Sequence, residues 1–414
     1  MAEEKKSILL LGGSRQQVVA IETAKRLGYR TVLCDYLPDN PGQHHADAFY
    51  LKSTTDRQAM LEVARRERVS GVLAYSSDPA APTAAYVCEA LGLPTNPLAS
   101  VETLSEKHLF RRHLAEAGLP CPKAAPLDAT STPQAALALA REAGMAYPLV
   151  LKPTDSSGSK GVTVIASPDE GALARALSHA RDFSRNGTLI LEEYIEASFP
   201  RVIGGDVFVA NGRVAFWGLM SCLRDQGLGG LVPVGERNPS GLDAQQTRAV
   251  KDQVRALVDS LHLSYGELNV EVIVGRGGTP YFLELGARAG GNMIPVQLSD
   301  ISGIDLVEAN VRYAMGDDSL DVSFEGNDEP VVTYVLHADR EGTFAGVDLD
   351  PAIAPHVYRT VMYVEEGAPV SSFDGANKAL GILFLRFDDV PQLERACEDL
   401  PRLVRPRIVP TTAS

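Results

Sequence analysis

Two short apolar runs, each carrying one glutamate, constrain this chain more than any other feature. Glu271-Val272-Ile273-Val274 and Tyr281-Phe282-Leu283-Glu284-Leu285 read as strands, and Gly275-Arg276-Gly277-Gly278-Thr279-Pro280 joins them. A glycine-dense connection of that length closes an antiparallel hairpin. In such a hairpin the two carboxylates can oppose each other on one face, where paired strands bring side chains within about 5 Å. Two carboxylates held that close repel, and withdrawing them from water is costly unless a cation lies between them. Magnesium suits the position, because it takes oxygen ligands and shares its shell with substrate phosphates.

A second segment supplies what would hold the phosphates. Tyr147-Pro148-Leu149-Val150-Leu151-Lys152-Pro153 is a short apolar strand ending in a lysine. Thr154-Asp155-Ser156-Ser157-Gly158-Ser159-Lys160-Gly161 follows at once and leads into the β-branched Val162-Thr163-Val164. Small, glycine-punctuated loops let backbone N–H groups approach an anion closely. A P-loop would open a helix and end in GK[ST]. This loop does neither, so it is predicted to be a flap between two strands.

Lys152, the flap, Leu189-Ile190-Leu191-Glu192-Glu193-Tyr194-Ile195 and the two-glutamate hairpin occur in that order over residues 147–292. In these four motifs the chain resembles the ATP-grasp superfamily, in which ATP lies between two α+β subdomains. Within it, the run Ala287-Arg288-Ala289-Gly290-Gly291-Asn292 looks most like the carboxylate–amine (amino-acid) ligase branch. The resemblance implies a mixed α/β and α+β fold in three parts. These are a Rossmann-like pre-ATP-grasp domain over residues 1–100, a linker helix over 101–120 leading to a lid over 121–195, and a metal-bearing subdomain over 196–324 continued by a C-terminal lobe over 325–414.

The resemblance also assigns roles. Lys107, Lys152 and the flap residues Ser156, Ser157, Gly158, Ser159 and Gly161 would bind the triphosphate. Glu192 would meet the adenine amine, and the backbone of Glu193, Tyr194 and Ile195 the ring edge, with Glu196 or Asp206 near the ribose. Glu271 and Glu284 would hold magnesium, or manganese in its place. Many members carry an asparagine two residues after the second glutamate, where this chain has Gly286; Asn292, or alternatively Asn269, is expected to compensate. Arg288 is expected to clamp a substrate carboxylate or a developing phosphate through a bidentate fork. Arg224 would add a second positive charge. Phosphoryl transfer asks for positioning and charge neutralisation rather than a nucleophilic side chain. No GxSxG nucleophile motif occurs, in agreement.

At the other end, Ser7 to Gly13, Val18 to Leu27 and Arg30 to Asp35 read as a βαβ opening. Gly12-Gly13-Ser14-Arg15-Gln16-Gln17 lacks the third glycine of a dinucleotide fingerprint, which argues against an NAD site. The 414 residues carry a formal charge of −14 and no Lys/Arg run, which argues against nucleic acid or an anionic membrane as main partner. No apolar stretch is long enough to span a bilayer and no signal-peptide core follows Met1, so the cytoplasm is the expected location. Five scattered cysteines show no metal-site spacing.

The expected function is an ATP-dependent ligase that activates a small carboxylate as an acylphosphate and joins it to an amine, releasing ADP and phosphate. Its partners would be those two small molecules and, by family analogy, a second copy of the chain. Two alternatives stand beside it. One is a purine-pathway enzyme of the same superfamily acting on a phosphoribosyl amine, and the other is a nucleotide-binding protein without catalysis.

Overall fold

The computed structural model describes residues 5–156, 160–224 and 232–410. The chain opens with β1 (Ser7–Leu11), α1 (Val18–Arg26), β2 (Arg30–Asp35), β3 (Ala48–Leu51), α2 (Arg57–Arg66), β4 (Gly71–Leu73) and α3 (Ala81–Leu91). The four strands pair in parallel in the order β3-β2-β1-β4. A parallel sheet covered on its faces reads as continuous apolar runs, and β1 is buried at every position of Ser-Ile-Leu-Leu-Leu. Two helices, α4 (Leu98–Ser105) and α5 (Lys107–Glu116), lead out of this unit.

A second sheet follows from β5 (Ala124–Asp128), α6 (Pro133–Glu142), β6 (Leu149–Pro153), β7 (Thr163–Ile165), α7 (Glu170–Phe183) and β8 (Thr188–Glu193). Its strands pair antiparallel in the order β5-β8-β6-β7 over a core that includes Leu149, Leu151, Leu173, Leu177 and Leu191. The segment after Lys152 does run between two strands, β6 and β7. Ser157, Gly158 and Ser159 lie outside the described residues.

The third sheet is the largest. It is built from β9 (Ile203–Ala210), β10 (Arg213–Arg224), β11 (Pro233–Asn238), α8 (Ala244–Ser260), β12 (Tyr265–Val274), β13 (Pro280–Gly286), α9 (Ile294–Ser302), α10 (Leu306–Ala314) and β14 (Val331–Leu336). Beyond it come β15 (Gly342–Leu349), β16 (Val357–Met362), β17 (Pro369–Val370), β18 (Gly381–Arg386), α11 (Val390–Leu403) and β19 (Val404–Val409). Eight strands run in the order β13-β12-β9-β10-β11-β14-β18-β16, so strands from beyond residue 324 continue the sheet that carries the hairpin. The remaining three, β17-β15-β19, form a small separate sheet.

Alternation along β12 fixes which face does what. Leu268, Val270, Val272 and Val274 join Val250, Val254 and Leu257 of α8 in one core. Successive strand residues point to opposite faces, so Glu267, Asn269, Glu271 and Ile273 point the other way. That polar face becomes the wall of a cleft.

Candidate active site

Glu271 and Glu284 are direct cross-strand partners in the β12–β13 ladder. The register shifts immediately after them, where Val272 pairs with Phe282 and Leu283 is left as the extra residue. Bulges of this kind re-aim side chains beside functional sites. Here both Leu283 and Glu284 reach the cleft, while Phe282 and Leu285 stay in the core behind. Burial, reinforced by the facing Glu284, raises the Glu271 carboxyl above the usual carboxylate range. Two cations approach the pair: Lys107 Nζ lies 3.3 Å from Glu284 and Arg224 Nη2 lies 3.7 Å from Glu271.

The opposite wall carries a buried triad. Lys152 Nζ sits 2.6 Å from one oxygen of Glu192, and Arg111 Nε lies 2.8 Å from the other. All three residues are almost fully buried. Burial pulls the Lys152 ammonium down to about 8, against the opposing pull of Glu192. Burial alone would raise the Glu192 carboxyl, but Arg111 and Lys152 together hold it below the usual range.

Both walls line one cavity of about 530 Å³, which also takes in Lys107, Ser156, Glu193, Tyr194, Ile195 and Arg224. Its far end is closed by Tyr334 and by Leu400 and Pro401 of the C-terminal region. Lys107 ties the walls together, because its ammonium also donates to the Ser156 carbonyl at 2.6 Å. Glu193 accepts from the Ala146 N–H through its side chain, and the Tyr194 N–H donates to the Pro148 carbonyl. Gly161 adopts a φ of +75° and has Pro153 and Phe183 packed where a Cβ would stand, so only glycine fits this end of the flap.

Several expected site residues lie elsewhere. Glu196 is not among the residues lining the cavity; it pairs with Arg276 in the hairpin turn, held outward by that opposite charge. Asp206 is fully buried beneath the Gly290 loop, where it accepts from the Asn269 amide and the Gly290 N–H, so it is committed away from a ribose. Asn292 does not line the cavity either. Its N–H donates to Gln16 Oε1 and the neighbouring Gly290 carbonyl accepts from Ser76, which pins the loop against the first sheet. Asn269 shares the cleft face with Glu271, and its amide nitrogen donates to Asp206 and the Gly205 carbonyl.

Arg288 departs most from expectation. The fork predicted to grip a substrate holds Asp78 instead, with Nε donating at 2.6 Å and Nη2 at 2.8 Å. The same pair accounts for the glycine at 286. A Cβ there would stand 3.1 Å from Asp78 Oδ1 and 3.3 Å from the Arg288 guanidinium carbon, so an asparagine would collide with the ion pair.

Sequence reading missed three residues of this region. Arg111 was detectable: it lies one helical turn after Lys107, and residues four apart share a helix face. Asp78 sits in the loop after β4, and Glu236 in β11, and neither carries a local signal.

The donor set fits magnesium. Two facing carboxylates supply only oxygen ligands, and magnesium is usually held by one or two carboxylates with waters and phosphates completing its shell. Among the described residues no cluster of three or more His, Cys, Asp or Glu has metal-binding geometry. Among those residues, too, no helix is long and apolar enough to cross a membrane.

Comparisons with known proteins agree with this architecture. Residues 106–321 match the family described as carbamoyl-phosphate synthase L chain, ATP binding domain. The formate-dependent phosphoribosylglycinamide formyltransferase of Synechococcus sp. (strain WH7803) is 33% identical over 192 residues, 45% of this chain and 47% of that protein. Its counterpart from Sulfolobus acidocaldarius is 26% identical over 343 residues, 82% of this chain and 83% of that protein. In several such matches the chain spans about half the length of the curated relative. Among solved structures, the L-amino acid ligase of Bacillus licheniformis superimposes with a TM-score of 0.77 at 20% identity, covering 99% of this chain and 100% of that one. An ADP complex of N5-carboxyaminoimidazole synthetase from Staphylococcus aureus gives 0.74 at 18% identity, covering 96% and 98%. The family match covers more than half of the chain, and the chain belongs to the carbamoyl-phosphate synthase L chain ATP-binding family of the ATP-grasp superfamily.

Proposed function

We propose that this protein is an ATP-dependent ligase that activates a small carboxylate as an acylphosphate and couples it to an amine, releasing ADP and phosphate. The observation that carries the proposal is the facing pair Glu271 and Glu284, which shares one cavity with Lys152 and has Lys107 directly beside Glu284. The pair can gather magnesium, or manganese in its place, under the terminal phosphates, and the ion supplies charge neutralisation there. Lys152 and Lys107 add cationic contacts from the opposite side and from the N-terminus of α5. Glu192 to Ile195 line the end of the cavity suited to a flat base, with the Glu192 carboxylate oriented by Lys152 and Arg111. Arg224, beside Glu271, is placed to attract the carboxylate that receives the phosphoryl group. Arg288, which grips Asp78 in the structure, remains the proposed clamp for the carboxylate or the developing phosphate.

Incubation with ATP, magnesium and panels of small acids and amines tests the proposal, with ADP resolved from AMP by chromatography. ADP that appears only with an acid present is the expected result, and AMP would refute the acylphosphate route.

A second reading has specific support, since several matching relatives are named as formate-dependent phosphoribosylglycinamide formyltransferases. On it, formate is the acid and a phosphoribosyl amine the acceptor. Formate-dependent ADP release that requires glycinamide ribonucleotide would favour this second reading over an amino-acid substrate.

A further inference from the structure

The acidic face of the large sheet does not end at the hairpin. Glu284 and Glu271 pair across β13 and β12. Continuing the Val272–Ile203 pairing by one residue sets Gly204 of β9 beside Glu271. Into the space above Gly204 reaches a third carboxyl, that of Glu236, from two strands away on β11. Its Oε2 would be 2.8 Å from a Cβ on Gly204, and its Oε1 3.1 Å. Neighbouring strands lie about 5 Å apart, so this carboxyl stands roughly one strand from Glu271.

Glu236 is 6% exposed, and its Oε2 has no hydrogen-bond partner among the described residues. Cys222, its cross-strand partner, lines the cavity, as do Val234 on the same face of β11 and Arg224 beyond Cys222. A buried acceptor without a partner costs about 1–3 kcal/mol, and carboxylates are the last groups expected to be left that way. The missing partner is a hydrogen-bond donor. A protonated amine meets the requirement: it is positive, carries several N–H donors and needs no fixed coordination shell.

We propose that Glu236 binds the ammonium group of the amine co-substrate and accepts the proton it must lose, so that the free nitrogen attacks the acyl carbon, the C–N bond forms, the acyl–phosphate bond breaks and phosphate leaves. The inference rests on the ligase reading above and deepens it, making the acceptor a cationic primary amine. Gly204 belongs to the same device, since any side chain there would displace the carboxyl.

The experiment separates the two acceptor chemistries. With ATP, magnesium and each of the twenty common amino acids as carboxyl donor, the wild type is assayed with hydroxylamine, an uncharged nucleophile at neutral pH, and with methylammonium chloride. In Glu236→Gln the KM for methylammonium is expected to rise at least about tenfold, while hydroxamate formation and the KM for ATP stay within about twofold. Gly204→Ala, which leaves the acid in the sequence but pushes it aside, should produce the same selective defect. Thermal melting of both variants checks that the fold is retained. An unchanged methylammonium KM in both variants overturns the inference, as does a parallel loss of hydroxamate. Failure of the wild type to form either product with any acid would sink the ligase reading itself, and this inference with it.

Discussion

The two walls of the cavity solve opposite electrostatic problems. On the lid side, Lys152, Glu192 and Arg111 are buried together and neutralise one another, so that wall is complete without a ligand. On the hairpin side, Glu271, Glu284 and Glu236 are gathered on one face, Lys107 and Arg224 approach the first two, and burial holds Glu271 and Glu236 above their ordinary values. A wall of paired charges is a rigid fixture for whatever lies against it. A wall of like charges stores repulsion that a bound cation relieves. Removing a charge should therefore have opposite consequences on the two sides.

The sharpest break of this contrast is at the hairpin. Glu284→Gln is expected to lower ATP turnover on the order of 10³-fold, the loss of several kcal/mol of metal-borne stabilisation, yet to leave the ligand-free protein as stable as before or more so. Steady-state ADP release and urea denaturation on the same preparation check both halves. Destabilisation comparable to the loss of activity would remove the distinction between the walls. Next in size is the lid side: Glu192→Gln leaves Lys152 and Arg111 facing each other unpaired, and breaking a buried pair costs about 3–5 kcal/mol. Chemical denaturation should show it, and a change below 1 kcal/mol would mean the triad is not structural.

Ligand linkage comes third. Magnesium with ATP at a hundredfold excess over Kd should stabilise the wild type by about 2.7 kcal/mol, and Glu271→Gln should abolish most of that gain in a thermal-shift titration. A pH effect comes fourth. Burial pushes the Glu236 carboxyl up to about 8, against an unfolded value of about 4.3. A group raised in the folded state stabilises below its unfolded value and loses that contribution as pH rises through the folded one. The urea midpoint of metal-free protein should therefore climb as pH falls from 9 to about 6, and Glu236→Gln should flatten the slope. The smallest effect is expected at Glu196→Ala, which breaks an exposed ion pair outside the cavity and should change the KM for ATP less than about threefold.

Much of this was legible in the chain. The hairpin could be read because alternation and a glycine turn are local signals, and its register follows from burying Val270 and Val272 while exposing Glu271. Lys152 and the strand order around the flap were readable for the same reason. What could not be read is how distant loops meet. Nothing near Ser76 or Asp78 announces that the loop after β4 will reach across to Arg288 and Gly290. Contact between elements some two hundred residues apart depends on the packing of whole sheets. The loop of Asn292 was unreadable for the same reason: Gln16 holds the Asn292 N–H and Ser76 the Gly290 carbonyl, contacts that spacing from Glu284 does not announce.

The Asp78–Arg288 fork has one more implication. The first sheet is joined to the two-glutamate hairpin by a two-point ionic rivet only four residues downstream of Glu284. Grafting a foreign opening domain onto this chain would therefore strip the guanidinium of its counter-charge and disturb the acids next to it, unless the graft brought its own aspartate to that spot.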